Sequence, residues 1–302
     1  MHEAWAAFTW EKTDEQYNPT LWTRRLPTEE LLPAHVEITS GRSDTYRRKV
    51  SDGLQTVCFG KGDFVGSMDI FRPANVADNA PILVYIHGGW WQWFSKEQFS
   101  YLAEPFNKKG IAVYMPGYRM AQEWDSESPM ESIVTQLQWA MVSVFKEAEK
   151  KGASKVYLMG HSAGGHLVAV LHQIDWRKFE VSNVTIKKLK GVFSLAGLFD
   201  IRPLVNSFVN DTIQFSMASA AKVSPQLLTV SERHSPCPLH LIVPEFDTPE
   251  FFRQTKEYQE KLLKADWPCH FILANNRDHL DLIERLSNDN DEVLEYILLN
   301  MN

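Results

Sequence analysis

Three separated stretches of this 302-residue chain carry side chains suited to nucleophilic catalysis. The first is Gly160-His-Ser162-Ala-Gly164, which follows an apolar run at 156–159 and precedes the helix-like Leu167-Val-Ala-Val-Leu171. A serine hydroxyl is a weak nucleophile and needs a neighbouring base. Gly-x-Ser-x-Gly between a strand and a helix makes a sharp elbow that presents the hydroxyl, and the two glycines let the backbones pack closely. The second stretch is His87-Gly88-Gly89-Trp90-Trp91, released by the apolar run 82–86. Backbone N–H groups of Gly88, Gly89 and Trp90, joined by that of Ala163, can converge on the oxyanion of a tetrahedral intermediate. Removing one such donor typically costs about 2.7–4 kcal/mol. His87 and Trp91 are expected to support this loop rather than to react.

The third stretch must supply an acid and a base. Downstream of Ser162 stand His166, His172, His234, His240, His270 and His279. The first two lie on the helix after the elbow and cannot double back, while His240 and His270 fall in strand-like runs. His279 follows the last strand-like run in a polar Asn275-Asn-Arg-Asp-His279 loop and is the favoured base. Asp247, in Pro244-Glu-Phe-Asp-Thr-Pro249, precedes it by 32 residues, room for one helix and one strand. Glu245 and Asp200 are rival acids, and Asp247 would also serve as a helix N-cap. Asp278 is expected to point away from the base. The expected chemistry is proton removal from Ser162 by His279, attack on a carbonyl, and hydrolysis of the acyl-serine, with Asp247 fixing the imidazole tautomer. No metal or organic cofactor is required.

These parts need elements to hold them. Strand-like runs occur at 54–59, 65–71, 82–86, 111–115, 156–159, 191–196, 239–243 and 270–274, most of the later ones apolar throughout, as in strands buried on both faces. Helix-like segments at 96–109, 129–150, 162–173 and 249–264 alternate with them. In 129–150, Ile133, Leu137, Ala140, Met141 and Val144 form one stripe. Strands alternating with helices predict an α/β class: a mostly parallel sheet of about eight strands, flanked by helices, in the α/β-hydrolase fold. The first two strands should pair as an antiparallel hairpin at the edge. A single domain spanning 1–302 is expected, opened by a polar, helical segment at 1–50 that Pro19, Pro27 and Pro33 break into short pieces. Residues 201–236 read as a helical insertion capping the site.

Composition narrows the function classes. With 44% hydrophobic and 23% charged residues the chain is ordinary for a globular protein. A net charge of −7 argues against a nucleic-acid partner, which calls for a basic stripe. Three cysteines without CxxC spacing give neither a disulfide framework nor a zinc site. No run approaches the roughly 18 apolar residues of a membrane span, and Met1–Trp10 lacks a secretory pattern. The expectation is a soluble, cytoplasmic protein, with the nucleus also open, acting on a small molecule and not on a membrane.

Taken together, the motifs resemble the kynurenine formamidase (arylformamidase) family. His87-Gly-Gly-Trp-Trp91 is similar to its His-Gly-Gly-x-Trp signature, and Gly160-His-Ser-Ala-Gly164 to its elbow. Asp247-Thr-Pro-Glu-Phe-Phe resembles its acid segment and Asp278-His-Leu-Asp-Leu-Ile-Glu284 its base segment. Gln16-Tyr-Asn-Pro-Thr-Leu-Trp22 looks like its opening. The resemblance spans nearly the whole chain. It implies hydrolysis of N-formyl-L-kynurenine to L-kynurenine and formate, with Ser162, Asp247 and His279 as the triad and a homodimer as the possible assembly. Trp90 stands where animal members are expected to carry tyrosine, and Leu280 where phenylalanine is usual, which bears on substrate preference rather than on reaction type. Trp93, Phe94 and Trp124 are candidates for an aromatic substrate pocket, with core packing as the competing reading. Two other functions use the same features. A hormone-sensitive-lipase-like carboxylesterase would share every catalytic part, and a ligand-binding module on a hydrolase scaffold would usually lack a triad member.

Overall fold

The computed structural model describes residues 4–73, 76–230 and 237–301, so His234 and the last part of the 201–236 segment lie outside the described residues. Eight strands form one sheet: β1 (Gln55–Phe59), β2 (Gly66–Phe71), β3 (Ile82–Ile86), β4 (Ala112–Pro116), β5 (Val156–His161), β6 (Leu189–Leu195), β7 (Leu239–Phe246) and β8 (Cys269–Asp278). Their order is β1-β2-β4-β3-β5-β6-β7-β8. β1 pairs antiparallel with β2 and β2 with β4, and every later pairing is parallel. The expected edge hairpin is present, and every expected strand falls within one or two residues of an observed start. β3, β4 and β5 are buried along their whole length. Their unbroken apolar runs follow from helices lying on both faces of the sheet.

The helices are α1 (Trp10–Tyr17), α2 (Thr28–Lys49), α3 (Ala103–Lys108), α4 (Pro129–Lys150), α5 (Ala163–His172), α6 (Asn183–Ile186), α7 (Phe208–Ile213), α8 (Met217–Lys222), α9 (Pro249–Lys264), α10 (Asp281–Glu284) and α11 (Glu292–Leu299). α4 buries the predicted stripe of Ile133, Leu137, Ala140, Met141 and Val144. α9 begins where Thr248 accepts a hydrogen bond from the Phe251 N–H, with Pro249 in the first turn. Residues 202–222 hold a 3-10 turn followed by α7 and α8.

Three local readings need correction. Pro33 does not break the N-terminal segment: α2 runs through it for 22 residues. A proline inside a helix removes one hydrogen bond and costs about 3 kcal/mol. Tertiary burial of Leu31, His35, Thr39, Ser43 and Tyr46, spaced three or four residues apart, offsets that cost. The segment 96–109 is not one helix but a 3-10 stretch, Lys96–Leu102, followed by α3. Pro105 explains the break, since its ring would clash with the Tyr101 carbonyl in a continuous helix. Finally, the polar 275–279 stretch is mostly strand, because β8 continues to Asp278.

That extension matters for the site. In a parallel sheet the carboxyl ends of the strands share one edge, and ligands bind there, where the strand order reverses. Here the chain passes from β3 outward to β4 and then back across to β5, so the reversal lies between β3 and β5. The loops after β3, β5, β7 and β8 all open on this edge.

Candidate active site

Ser162 follows β5 directly and takes φ 56°, ψ −120°, a conformation a non-glycine residue adopts only under constraint. The constraint comes from its surroundings. The Ser162 N–H donates to the Leu195 carbonyl (2.8 Å), and the His166 N–H returns to the Ser162 carbonyl (3.0 Å). A Cβ on Gly160 would sit 2.2 Å from the Gly164 carbonyl oxygen, and one on Gly164 would sit 2.1 Å from that of Ile86. Both elbow glycines are therefore required by contact with neighbouring backbone.

The loop after β3 wraps over the elbow. Gly89 has φ 108°, and an added Cβ would meet the Trp93 carbonyl at 2.3 Å. Trp90 and Trp91 also have positive φ, 50° and 60°. Among the described residues, the N–H groups of Gly89, Trp90 and Ala163 donate to no backbone carbonyl. Unpaired donors beside a serine hydroxyl form an arrangement able to stabilise a developing oxyanion. His87 packs between Tyr118 and Phe99 and donates Nδ1–H to the Gly88 carbonyl (2.8 Å). Burial pulls its pKa down to about 4, so it stays neutral at physiological pH. Trp91 is wholly buried, its ring edge-on to His166 and its carbonyl accepting from the Ala121 N–H.

The acid and base are brought together by strand register. β7 and β8 pair to their ends, with Phe246 opposite Asp278. Asp247 and His279 are the next residues on each chain and so emerge side by side. Asp247 Oδ2 accepts the His279 Nδ1 proton at 2.8 Å, and its Oδ1 accepts the Thr248 N–H at 2.8 Å. The cap of α9 is Thr248, which leaves Asp247 free for the imidazole. The rival acids are occupied elsewhere: Asp200 pairs with Arg202 (2.8 Å), and Glu245 accepts the Asn276 N–H. His166 and His172 each bond a main-chain carbonyl, of Val223 and Cys237 respectively. His240 bonds the Tyr296 hydroxyl.

Ser162, Gly88, Gly89, Trp90 and His279 line one cavity of about 350 Å³. Trp93 and Phe94 also line it. Trp124 does not. Its ring packs on Phe64 and under the Arg119 guanidinium, and its indole N–H is held by the Arg119 carbonyl. This aromatic candidate is thus spent on packing against Phe64 and Arg119.

Sequence reasoning missed much of what surrounds this cavity. Its roof is the N-terminal segment: Asn18, Pro19, Thr20, Thr28, Glu29, Leu32, Pro33 and His35 all line it, with Phe208 from the 201–236 stretch. His161, inside the elbow motif, donates Nε2–H to the His279 carbonyl (2.8 Å), steadying the loop that carries the imidazole. Asp278 also holds that loop, since its Oδ1 accepts the N–H groups of both Leu280 and Asp281. The signal for the roof was the Gln16–Trp22 motif. Tyr17 within it is fully buried and donates to Glu250 at 2.8 Å, which ties the segment to α9. Among the described residues, no group of three or more His, Cys, Asp or Glu side chains is arranged to hold a metal ion, and no helix is long and apolar enough to cross a membrane.

Comparisons with known proteins agree with this architecture. The BD-FAE family model matches residues 68–233, more than half of the chain. A kynurenine formamidase from Danio rerio is 31% identical over 98% of both chains. One from Drosophila melanogaster is 25% identical over 94% of this chain and 95% of its own. A hyperthermophilic esterase from Pyrobaculum calidifontis superposes with a TM-score of 0.68 at 17% identity, covering 88% of this chain and 91% of its own, which speaks to the fold alone. A serine elbow, a buried His–Asp pair on adjacent strand ends and full-length likeness to these enzymes converge: the chain is a hydrolase of the α/β-hydrolase fold and belongs to the kynurenine formamidase family.

Proposed function

We infer that this enzyme hydrolyses the formamide bond of N-formyl-L-kynurenine, releasing L-kynurenine and formate. The observation that carries this reading is the hydrogen-bonded His279–Asp247 pair sharing a cavity with Ser162, in a chain similar end to end to kynurenine formamidases. In this reading His279 takes the Ser162 proton through Nε2 as the hydroxyl oxygen attacks the formyl carbon. Asp247 holds the imidazole in the Nδ1–H tautomer and stabilises its positive charge. The N–H groups of Gly88, Gly89, Trp90 and Ala163 receive the oxyanion. The aryl amine then leaves with the proton from His279, and water attacks the formyl-serine by the same route to release formate.

The substrate suits the site. Formyl is the smallest acyl group, and an aryl amine leaves more readily than an alkyl amine, so a plain triad suffices. The largely apolar walls of Leu32, Trp90, Phe94 and Phe208 suit an aromatic leaving group. The test is formate release from N-formylkynurenine by the wild type and by Ser162→Ala. A loss of about 10⁴-fold or more is expected with the fold retained. Turnover of a simple aryl ester with none of the formamide would instead identify a carboxylesterase using the same parts.

A further inference from the structure

One buried imidazole in the cavity wall has no part in the chemistry described so far. His35 of α2 is 1% exposed and lines the cavity. Its Nδ1 donates to Glu284 Oε1 at 2.7 Å, and the rings of Phe94 and Phe99 pack beside it with centroids 5.7 and 6.1 Å away. Its Nε2 has no hydrogen-bond partner among the described residues. Unlike the orphaned Nδ1 atoms of His166 and His172, it is not sealed in the core, so the cavity is the space it faces.

A cluster of charged groups holds the ring from behind. Arg25 donates to Glu284 through two N–H groups (2.8 and 2.9 Å) and to Asp278 through Nε (2.7 Å). Two buried carboxylates thus share one guanidinium behind the ring, and Glu284 accepts from both Arg25 and His35. The other charge-bearing groups at the cavity are already committed or have the wrong sign. His279 is bonded to Asp247, and His161 donates to the His279 carbonyl. Glu29 is an exposed carboxylate, and no lysine or arginine lines the cavity.

We propose that His35 is a specificity-determining residue that receives the α-carboxylate of an aromatic amino-acid substrate, donating Nε2–H to it while Ser162 attacks the formamide at the other end. This rests on the formamidase reading above. An arriving carboxylate and Glu284 then accept from the two nitrogens on opposite sides of one ring, out of contact with bulk water. The exposed Glu29 is of the right sign to meet the substrate ammonium.

The test compares N-formyl-L-kynurenine with N-formylkynuramine, which differs only in lacking the carboxylate. The readout is the ratio of kcat/KM for the two substrates in wild type, His35→Gln and His35→Leu. The ratio in wild type should favour the carboxylate, and both variants should lower it by about 10- to 100-fold, chiefly through KM. A parallel fall for both substrates, or an unaltered ratio, overturns the proposal. Wild type alone supplies a check that needs no folded variant. L-kynurenine should inhibit aryl-ester hydrolysis more strongly than kynuramine, and equal inhibition overturns the proposal. The ester assay also keeps the two readings apart: a wild type that cleaves the ester and neither formamide defeats the proposed function, while His35 is still judged by the inhibition ratio.

Discussion

The rim of the site and its roof are built on different principles. The rim, comprising the elbow, the loop after β3 and the β7–β8 ends, is made of backbone. Its demands are local: glycine at 160 and 164, and adjacent exits from two paired strands. The roof is made of side chains reaching across the sequence. Arg25 meets Asp278 and Glu284 more than 250 residues away, and Tyr17 meets Glu250. On the proposed function the difference divides labour: the rim would carry the reaction, and the roof would bound what enters and brace the histidine loop through Arg25 and Asp278.

Three substitutions probe that division. The largest effect should come from Asp247→Asn on the rim. An amide beside Nδ1 stabilises the wrong tautomer, so kcat should fall by about 10⁴-fold with little change in thermal unfolding. A fall below tenfold would mean the pair is structural. Next comes Arg25→Ala in the roof, which leaves Asp278 and Glu284 buried without their cation. We expect a stability loss of about 2–3 kcal/mol, less than for a fully buried pair because the guanidinium is 27% exposed. Hydrogen bonds from Thr23 and Arg25 hold Asp278 below its ordinary pKa despite burial, and those from His35 and Arg25 do the same for Glu284. Carboxylates with depressed native pKa values add stability that is present above the ordinary range near pH 4 and lost on acidification. Urea titrations should therefore show the Arg25→Ala deficit at pH 7 shrinking below pH 4. A deficit independent of pH would reject the ionic account.

An effect of the opposite sign is expected at Asp281, where burial and the neighbouring Asp278 push the pKa up to about 7. An acid raised in the folded state is ionised more readily when unfolded, so it costs stability as pH rises from about 4 to 7. Asp281→Asn, whose amide oxygen can still accept the Asp278 N–H, should gain stability at pH 8 and nothing at pH 4. Equal gains at both values would rule out ionisation as the cause.

The same contrast explains what could be read without coordinates. The strands of the sheet announce themselves as short apolar runs, and the elbow is a local code of glycines around a serine. Asp247 and His279 could be found because the order of strands and helices between them sets where they emerge. By contrast, α2 was expected in pieces, since its continuity through Pro33 depends on buried partners such as His35 that no local pattern exposes. The role of 18–35 over the cavity was invisible for the same reason, although Tyr17 lay in a recognised motif. Trp124 shows the opposite error: expected near the aromatic cluster beside the oxyanion loop, it packs instead on Phe64 and Arg119.

The pairing of Phe246 with Asp278 carries one more implication. Because alternate residues of a strand face opposite sides, deleting or inserting a single residue within β8 would throw the His279 imidazole to the far face of the sheet. The turn at 265–268, between α9 and β8, carries no such parity. Chain length can vary there at an entropic cost that grows only slowly with the number of added residues. Variation among relatives should therefore accumulate as length changes in that turn, and the count of residues from Cys269 to His279 should stay fixed.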